Sequence, residues 1–156
     1  MKIKFVVLGK THIPFVKEGE QIFKSRIKKY IPFQYEVLEV KKNHSTDTKL
    51  VKKLEAAAVL KITQPGDFVV LLDEKGKSMS SRKFSDWIQH KLNLSYKNIV
   101  FVVGGAFGFD DDLKKRADAK LSLSEMTYSH QMIRIIFLEQ LYRAFTILRN
   151  EKYHND

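Results

Sequence analysis

Two tight segments, each placed directly after an apolar run, are the parts of the chain best suited to chemistry. The first is the glycine pair Gly104-Gly105, and the second is the polar turn from Leu123 to Ser129, which leads into a long apolar helix. In an open α/β sheet, small ligands bind beyond the carboxyl ends of the strands. Main-chain N–H and C=O groups in such turns can hold the adenine and ribose of a cofactor without any particular side chain. The alternatives are a plain tight turn at the glycines and a helix cap at Thr127 or Ser129.

Two glycine segments come close to nucleotide-binding motifs but fail on spacing. A dinucleotide-binding turn needs G-x-G-x-x-G, whereas Ala106 stands two residues after Gly104. A P-loop that ends in Gly76-Lys77-Ser78 would need glycine at position 71, which is Leu71. Neither phosphate-binding motif is therefore present.

The five histidines do not have the spacing of a metal site, because no two of them stand four residues apart. The chain also has no cysteine, which excludes disulfides and thiolate ligands. We therefore expect no bound metal. His130, at the start of the last helix, is typical of a capping or packing residue, and Tyr153-His154 lies in a chain end that would ordinarily fray.

The hydropathy pattern predicts one α/β domain with a mostly parallel sheet and helices on both faces. Apolar runs predict the strands, and helical periodicity with capping residues predicts the helices between them. The predicted strands are 3–8, 34–40, 68–72, 99–103 and 119–123, and the predicted helices begin near Pro14, Leu50, Arg82, Asp110 and His130. We expect the mostly polar residues 73–79 to form a loop.

The last predicted helix, from His130 to about Asn150, is apolar on nearly every side. One face of such a helix can pack on the sheet, but the other faces also need cover. A second copy of the chain would provide it, so we expect a homodimer built on this helix. A charged residue at Phe145 is then expected to break the dimer. Glu139 and Arg143 stand i, i+4 and can form an ion pair.

The chain is basic, with a formal net charge of +10, and most of the excess lies in its first part. Residues 1–61 hold 14 Lys/Arg and 6 Asp/Glu, whereas residues 62–156 hold 14 and 12. Either this is an ordinary solvated surface or it attracts a polyanion, with RNA or DNA ahead of a membrane. In the second case the basic stripe of the first helix, Lys17, Lys24 and Lys28, is the expected RNA-binding face. No apolar run fits a signal peptide or the roughly 20 residues that cross a bilayer, so we expect a cytoplasmic protein.

Several long blocks of the sequence are specific enough to compare with known families. They are VVGGAFG, LSLSEMTYSHQMIRIIFLEQLYRAF and the terminal Tyr153-His154, with KIKFVVLGK at the start and LLDEKGK at residues 71–77. Together these blocks resemble the RlmH family of small SPOUT-superfamily methyltransferases. The resemblance covers essentially the whole chain. It implies a trefoil knot in the C-terminal part of the sheet, which general topology rules would never suggest. It also implies methylation of N3 of a pseudouridine in large-subunit ribosomal RNA, with the large ribosomal subunit or the assembled ribosome as partner.

The resemblance further implies that S-adenosyl-L-methionine is the cofactor and is held mostly by backbone. Carried over by position, the cofactor-binding residues are Leu72, Gly104, Gly105, Leu123, Ser124, Glu125, Met126, Thr127, Tyr128 and Ser129. The implied dimer packs through the C-terminal helix, in agreement with the apolar pattern. The chain departs from the family at Ser129, where proline is usual, and at the end Asn155-Asp156, where a basic residue often follows the Tyr-His pair.

Methyl transfer to N3 also requires that N3 lose its proton. The candidate substrate-handling residues are His154 and Tyr153 on the tail, Arg143 to steady the nucleotide or its phosphate, and His130. Because Arg143 lies on the interface helix, the active site is expected to be shared between subunits. Two alternatives remain: a non-catalytic protein that binds RNA or the ribosome, and a SPOUT methyltransferase with a different RNA target.

Overall fold

Five parallel strands form one sheet in the computed structural model, which describes residues 1–41 and 46–155. The strand order is β2-β1-β4-β3-β5, and every pair of neighbours is parallel. The strands are β1 (Lys2–Leu8), β2 (Phe33–Leu38), β3 (Phe68–Ser78), β4 (Asn98–Val103) and β5 (Ala119–Ser122). The helices are α1 (Pro14–Ile27), α2 (Thr48–Ile62), α3 (Ser81–Leu92), α4 (Asp111–Arg116) and α5 (Met132–Leu148). The predicted α/β class, with a parallel sheet between two helical layers, is confirmed.

Continuous apolar runs form the central strands because both faces of the sheet are covered. All six residues of β4 are buried, as are six of the seven residues of β1. On one face, Phe5 and Phe101 pack with Phe137 of α5, and α1 and α3 complete this layer. On the other face, alternate residues such as Val6 pack against α2 and α4.

The helices begin where capping chemistry permits. Pro14 occupies the first turn of α1, where its missing N–H leaves no hydrogen bond unmade. The side chains of Asp47, Ser80 and Asp110 accept hydrogen bonds from the first-turn N–H groups of α2, α3 and α4. Helices α3 and α4 begin within one residue of the predicted starts, whereas α5 begins at Met132 rather than at His130.

The expected loop at residues 73–79 is wrong for most of its length, because β3 continues to Ser78. After an irregularity that follows Leu72, Lys77 and Ser78 pair in parallel with Leu121 and Ser122 of β5. A Cβ atom on Gly76 would lie 2.7 Å from the main chain of Lys120 and Leu121, so only glycine fits this close approach. Charged side chains suggested a loop, but the pairing is made by the backbone.

Helix α5 lies on the sheet between α1 and α3, which cover its two flanks. Gly19 of α1 has no side chain where Ile135 of α5 packs against it. One stripe along the outer side of α5 stays half-buried, and we call it the outer stripe: Met132, Ile136, Glu139, Arg143 and Ile147. Phe145 is not part of it, since Phe145 is buried and stacks on Tyr30. A charge at Phe145 would therefore disrupt the core, and the expectation that it selectively breaks a dimer is wrong.

Candidate functional site

A cleft of about 660 Å³ opens at the carboxyl ends of β4 and β5, beside the irregularity that follows Leu72 of β3. The turn after β4 and the segment after β5 form its walls, and Leu72 of β3 lies at its base. The residues along it include these members of the predicted cofactor set: Leu72, Gly104, Gly105, Leu123, Ser124, Met126, Thr127, Tyr128 and Ser129. His130 also lines the cleft, and Glu125 does not. Its volume is in the usual range for small-molecule sites, about 300–1,000 Å³.

The turn after β4 needs glycine because protein lies close behind it. A Cβ atom on Gly105 would lie 2.5 Å from Glu55 Oε1, and Glu55 is a buried residue of α2. A Cβ atom on Gly104 would lie 3.1 Å from the ring of Phe109. Gly108 closes the turn with a positive φ of 83° and donates its N–H to the Gly105 carbonyl at 3.2 Å. The segment is thus a tight turn, which was one of the two interpretations of its sequence. It also forms a wall of the cleft, in which Gly104 and Gly105 carry no side chain.

The segment after β5, residues 123–130, is held in shape by short polar side chains. Ser122 Oγ donates to the Ser124 carbonyl at 2.9 Å, and Met126 N–H donates to Ser124 Oγ at 2.9 Å. Ser129 Oγ accepts from the N–H of Met132, the first residue of α5, at 3.1 Å, so the Ser129 side chain joins this segment to the helix.

Thr127 does not cap the helix; it bridges the cleft. Its Oγ1 donates to Glu74 Oε2 at 2.5 Å, joining the segment after β5 to the outer part of β3. Both residues line the cleft. Sequence reasoning missed Glu74 because it fell in the expected loop. Lys52 of α2 and Lys114 of α4 also line the cleft, and their helical positions gave no signal of this.

The tail residues form a separate cluster on the outer stripe of α5. Arg143 Nη2 pairs with Glu139 Oε1 at 2.5 Å, which confirms the predicted i, i+4 ion pair. Tyr153 donates its hydroxyl to the same Glu139 oxygen at 3.0 Å, and its ring lies 4.7 Å from the Arg143 guanidinium carbon. His154 Nδ1 lies 3.2 Å from Arg143 Nη1. The chain end is therefore folded onto α5 as far as His154, and Asp156 lies outside the described residues.

Within one chain this tail cluster does not reach the cleft. Ile133 lines the cleft, and Arg143 stands ten residues further along α5, about 15 Å at the helical rise. The structure thus gathers most of the predicted cofactor residues at one place and Arg143, Tyr153 and His154 at another. Burial raises the pKa of Tyr153, and the nearby Glu139 carboxylate raises it further. At neutral pH the phenol is a hydrogen-bond donor and not a base.

Metal ligands and membrane-spanning helices are both absent from the described residues. These residues contain no group of three or more His, Asp or Glu side chains placed to hold a metal ion. Among them, no helix combines the length and the apolar composition that a membrane crossing requires.

A parallel α/β sheet with a cleft at its carboxyl edge is typical of proteins that bind a nucleotide or another small cofactor. Residues 1–154 match the family described as "Predicted SPOUT methyltransferase", and the chain belongs to this family. It is 47% identical to "Ribosomal RNA large subunit methyltransferase H" of Christiangramia forsetii over 99% of both chains. The protein of the same name from Parabacteroides distasonis is 47% identical over 100% of both chains. That from Syntrophotalea carbinolica is 40% identical over 99% of both. The family resemblance is confirmed.

Proposed function

We propose that the chain transfers a methyl group from S-adenosyl-L-methionine to N3 of a pseudouridine in large-subunit ribosomal RNA. The observation that carries the proposal is the cleft between the turn after β4 and the segment after β5. The printed names of the relatives, which describe ribosomal RNA methyltransferases, support the substrate class. The implied trefoil knot remains a prediction, and the proposed RNA substrate makes the cytoplasm the expected location.

The cleft suits a methyl donor that carries a nucleoside. Leu72, Leu121, Leu123 and Ile133 provide apolar contact surface, while the turn at Gly104-Gly105 and the 123–130 segment offer main-chain hydrogen-bonding groups. When bound, the donor supplies a methyl group that is already activated by its sulfonium. The chain has to hold donor and acceptor in line, and such positioning contributes about 7–11 kcal/mol. A positioned base adds about 10²–10⁴-fold, so alignment is the larger contribution.

We propose that a second copy of the chain completes the active site. In a twofold dimer the outer stripes of the two α5 helices would pack against each other in antiparallel sense. If they cross near Glu139, Arg143 lies about 6 Å beyond the crossing, and Ile133 of the partner subunit lies about 9 Å along the same direction. The separation between Arg143 and Ile133 along the helix axis is therefore about 15 Å within one chain and about 3 Å between the two chains of such a dimer. The tail cluster of one subunit then faces the cleft of the other.

The tail cluster has the groups that the acceptor needs. Arg143 can bind the phosphate of the target nucleotide bidentately. Its guanidinium is a donor only, so in the present arrangement it occupies the lone pair of His154 Nδ1. If Arg143 turns to a phosphate, Nδ1 is released to accept the N3 proton. Tyr153 stays protonated and donates to the acceptor or to Glu139, and His130 lies at the cleft itself.

Complementation between inactive variants tests the shared site. Gly105→Ala disturbs the cleft, and His154→Ala removes the proposed base. Each variant alone should lack activity, whereas an equal mixture, after exchange of subunits, should recover about a quarter of wild-type activity because half the dimers contain one intact site. No recovery from a mixture shown to contain heterodimers would contradict a site shared between subunits.

Two measurements separate the proposal from its alternatives. Calorimetry with S-adenosyl-L-methionine should give binding, and its absence at millimolar donor would favour the non-catalytic RNA-binding protein. Mass spectrometry of ribosomal RNA from cells that lack the protein should show one pseudouridine without its methyl group. Loss of a methyl group from another nucleotide would favour the methyltransferase with a different target.

For the RNA-binding surface we propose the basic stripe on α1. Lys17 and Lys28 belong to it, and Lys24 lies 4.4 Å over the Tyr35 ring, where burial lowers its pKa. Affinity for RNA should fall steeply as salt rises, since lysines release counterions from phosphates. An affinity that does not depend on salt would argue against this surface.

A further inference from the structure

Arg134 is a fully buried arginine in a stretch of α5 that is otherwise apolar. None of its surface is exposed. Nη2 donates to the Leu8 carbonyl at 2.9 Å, and Nη1 donates to the Gly9 carbonyl at 2.9 Å and to Thr11 Oγ1 at 3.0 Å. Nε donates to the His130 carbonyl at 3.0 Å. A buried charge is tolerated only when hydrogen bonds replace the lost water, and here main-chain carbonyls from two segments do so.

The charge of Arg134 is balanced through Thr11. Thr11 Oγ1 accepts from Arg134 and donates to Glu20 Oε1 at 2.7 Å, and Tyr35 donates to the same oxygen at 3.0 Å. Glu20 is itself buried. The segment that follows β1 is thus attached to a network that includes α1, α5 and β2. This network gives Arg134 one preferred position.

Gln131 makes a second attachment between the same two segments. Its Oε1 accepts from His12 N–H at 2.8 Å, and its Nε2 donates to the Lys10 carbonyl at 3.3 Å. Residues 9–12 and the start of α5 therefore hold each other in place. The His130 carbonyl, which Arg134 holds, ends the segment that forms one wall of the cleft.

We infer that Arg134 is a positioning residue for the methyl-donor site, which rests on the function proposed above. Through the His130 carbonyl, Arg134 fixes residues 123–130 in the conformation that presents their main chain to the cleft. This segment contains side chains as exposed as Met126, at 77%, and it has little packing of its own. Ordering it before the donor binds avoids an entropy loss during binding, so the attachment raises affinity without touching the ligand.

The competing explanation is that Arg134 serves stability alone. Ser85→Ala is the matched control, because Ser85 is also fully buried and donates to α5 at its far end, to the Ala144 carbonyl at 3.0 Å. Both changes remove buried hydrogen bonds to or from α5. Only Arg134 is connected to the cleft segment.

The test measures the Kd of S-adenosyl-L-methionine by calorimetry, at a temperature where circular dichroism shows every variant fully folded. Arg134→Met should raise the Kd about tenfold or more, equivalent to about 1.4 kcal/mol. The Kd of Arg134→Lys should lie between those of the wild type and Arg134→Met. Ser85→Ala should stay within about twofold of the wild-type Kd. Hydrogen exchange should quicken at amides 124–131 in Arg134→Lys and stay slow in β4. If Arg134→Met does not fold, Arg134→Lys and Gln131→Leu carry the same test.

Two results would overturn the inference. One is wild-type donor affinity in Arg134→Lys together with a lowered melting temperature like that of Ser85→Ala. The other is unchanged exchange at amides 124–131. Failure of the wild-type protein to bind the donor would instead refute the proposed function, and the exchange measurement would still decide whether Arg134 orders the segment.

Discussion

Replacing Gly76 with alanine should force apart the two strands that meet beneath the cleft. The added Cβ atom would lie 2.7 Å from Leu121 N and from the Lys120 carbonyl carbon, and an ordinary contact begins at 3.4 Å. The obstructing atoms are main chain, so no side-chain rotation can relieve the clash. Overpacking of this kind costs about 1–3 kcal/mol and here falls at the upper end of that range. For a chain of this length, 2–3 kcal/mol lowers the melting temperature by about 5–10 °C.

Gly66→Ala is the matched control, because it changes the backbone preference without a clash. Gly66 has a φ of 90°, and the nearest atom to an added Cβ would be 3.7 Å away. The left-handed conformation alone costs alanine about 1 kcal/mol, or about 3 °C. Thermal denaturation followed by circular dichroism measures both variants. Gly76→Ala should also weaken donor binding, since Leu121 lines the cleft, and Gly66→Ala should not. A melting temperature for Gly76→Ala at or above that of Gly66→Ala would refute the reasoning.

Three further changes probe other parts of the molecule. Ile136→Asp, on the outer stripe, should give a monomer in sedimentation that binds the methyl donor and lacks turnover; an active monomer would contradict the shared site. Thr127→Val should remove the bridge to Glu74 and change donor affinity by a factor of about 5 in calorimetry, the effect of about 1 kcal/mol; identical affinity would mean that the bridge has no role in binding. Burial raises the pKa of Tyr35 to about 12, whereas an unfolded tyrosine titrates near 10, so its contribution to stability is complete below about pH 10 and disappears as pH rises towards 12. Tyr35→Phe should therefore reduce the alkaline loss of urea stability across that window, and an unchanged pH profile would contradict the assignment.

The sequence predicts well those features that depend on a single strand or helix. The apolar runs at residues 68–72 and 99–103 are typical of central strands, and the glycine pair at 104–105 directly follows the second of them. Because the carboxyl ends of parallel strands share an edge, turns that follow two such strands lie where ligands bind.

The features that were missed depend on what lies next to an element in space. The charged residues 73–78 pair through their main chain, so hydropathy carried no sign of the strand, and Gly76 was the single available hint. On α5, apolar residues on every side hid the distinction between the buried Phe145 and the outer stripe. The hydropathy pattern shows Arg134 only as one polar residue in an apolar run. A lone arginine in such a run must either face solvent or be fully hydrogen-bonded, and the pattern does not tell which.

Helix α5 connects the two halves of the proposed reaction. Its first turn holds the 123–130 segment, because Arg134 Nε donates to the His130 carbonyl and Met132 N–H donates to Ser129 Oγ, so it shapes the donor side. Its outer stripe carries the tail cluster, ten residues away, which has the groups for the acceptor side. A helix is too rigid to bring its own two ends together, so a single chain can shape the donor site and still lack the acceptor groups. In the proposed dimer, pairing two such helices about a twofold axis would supply both sets of groups to each site.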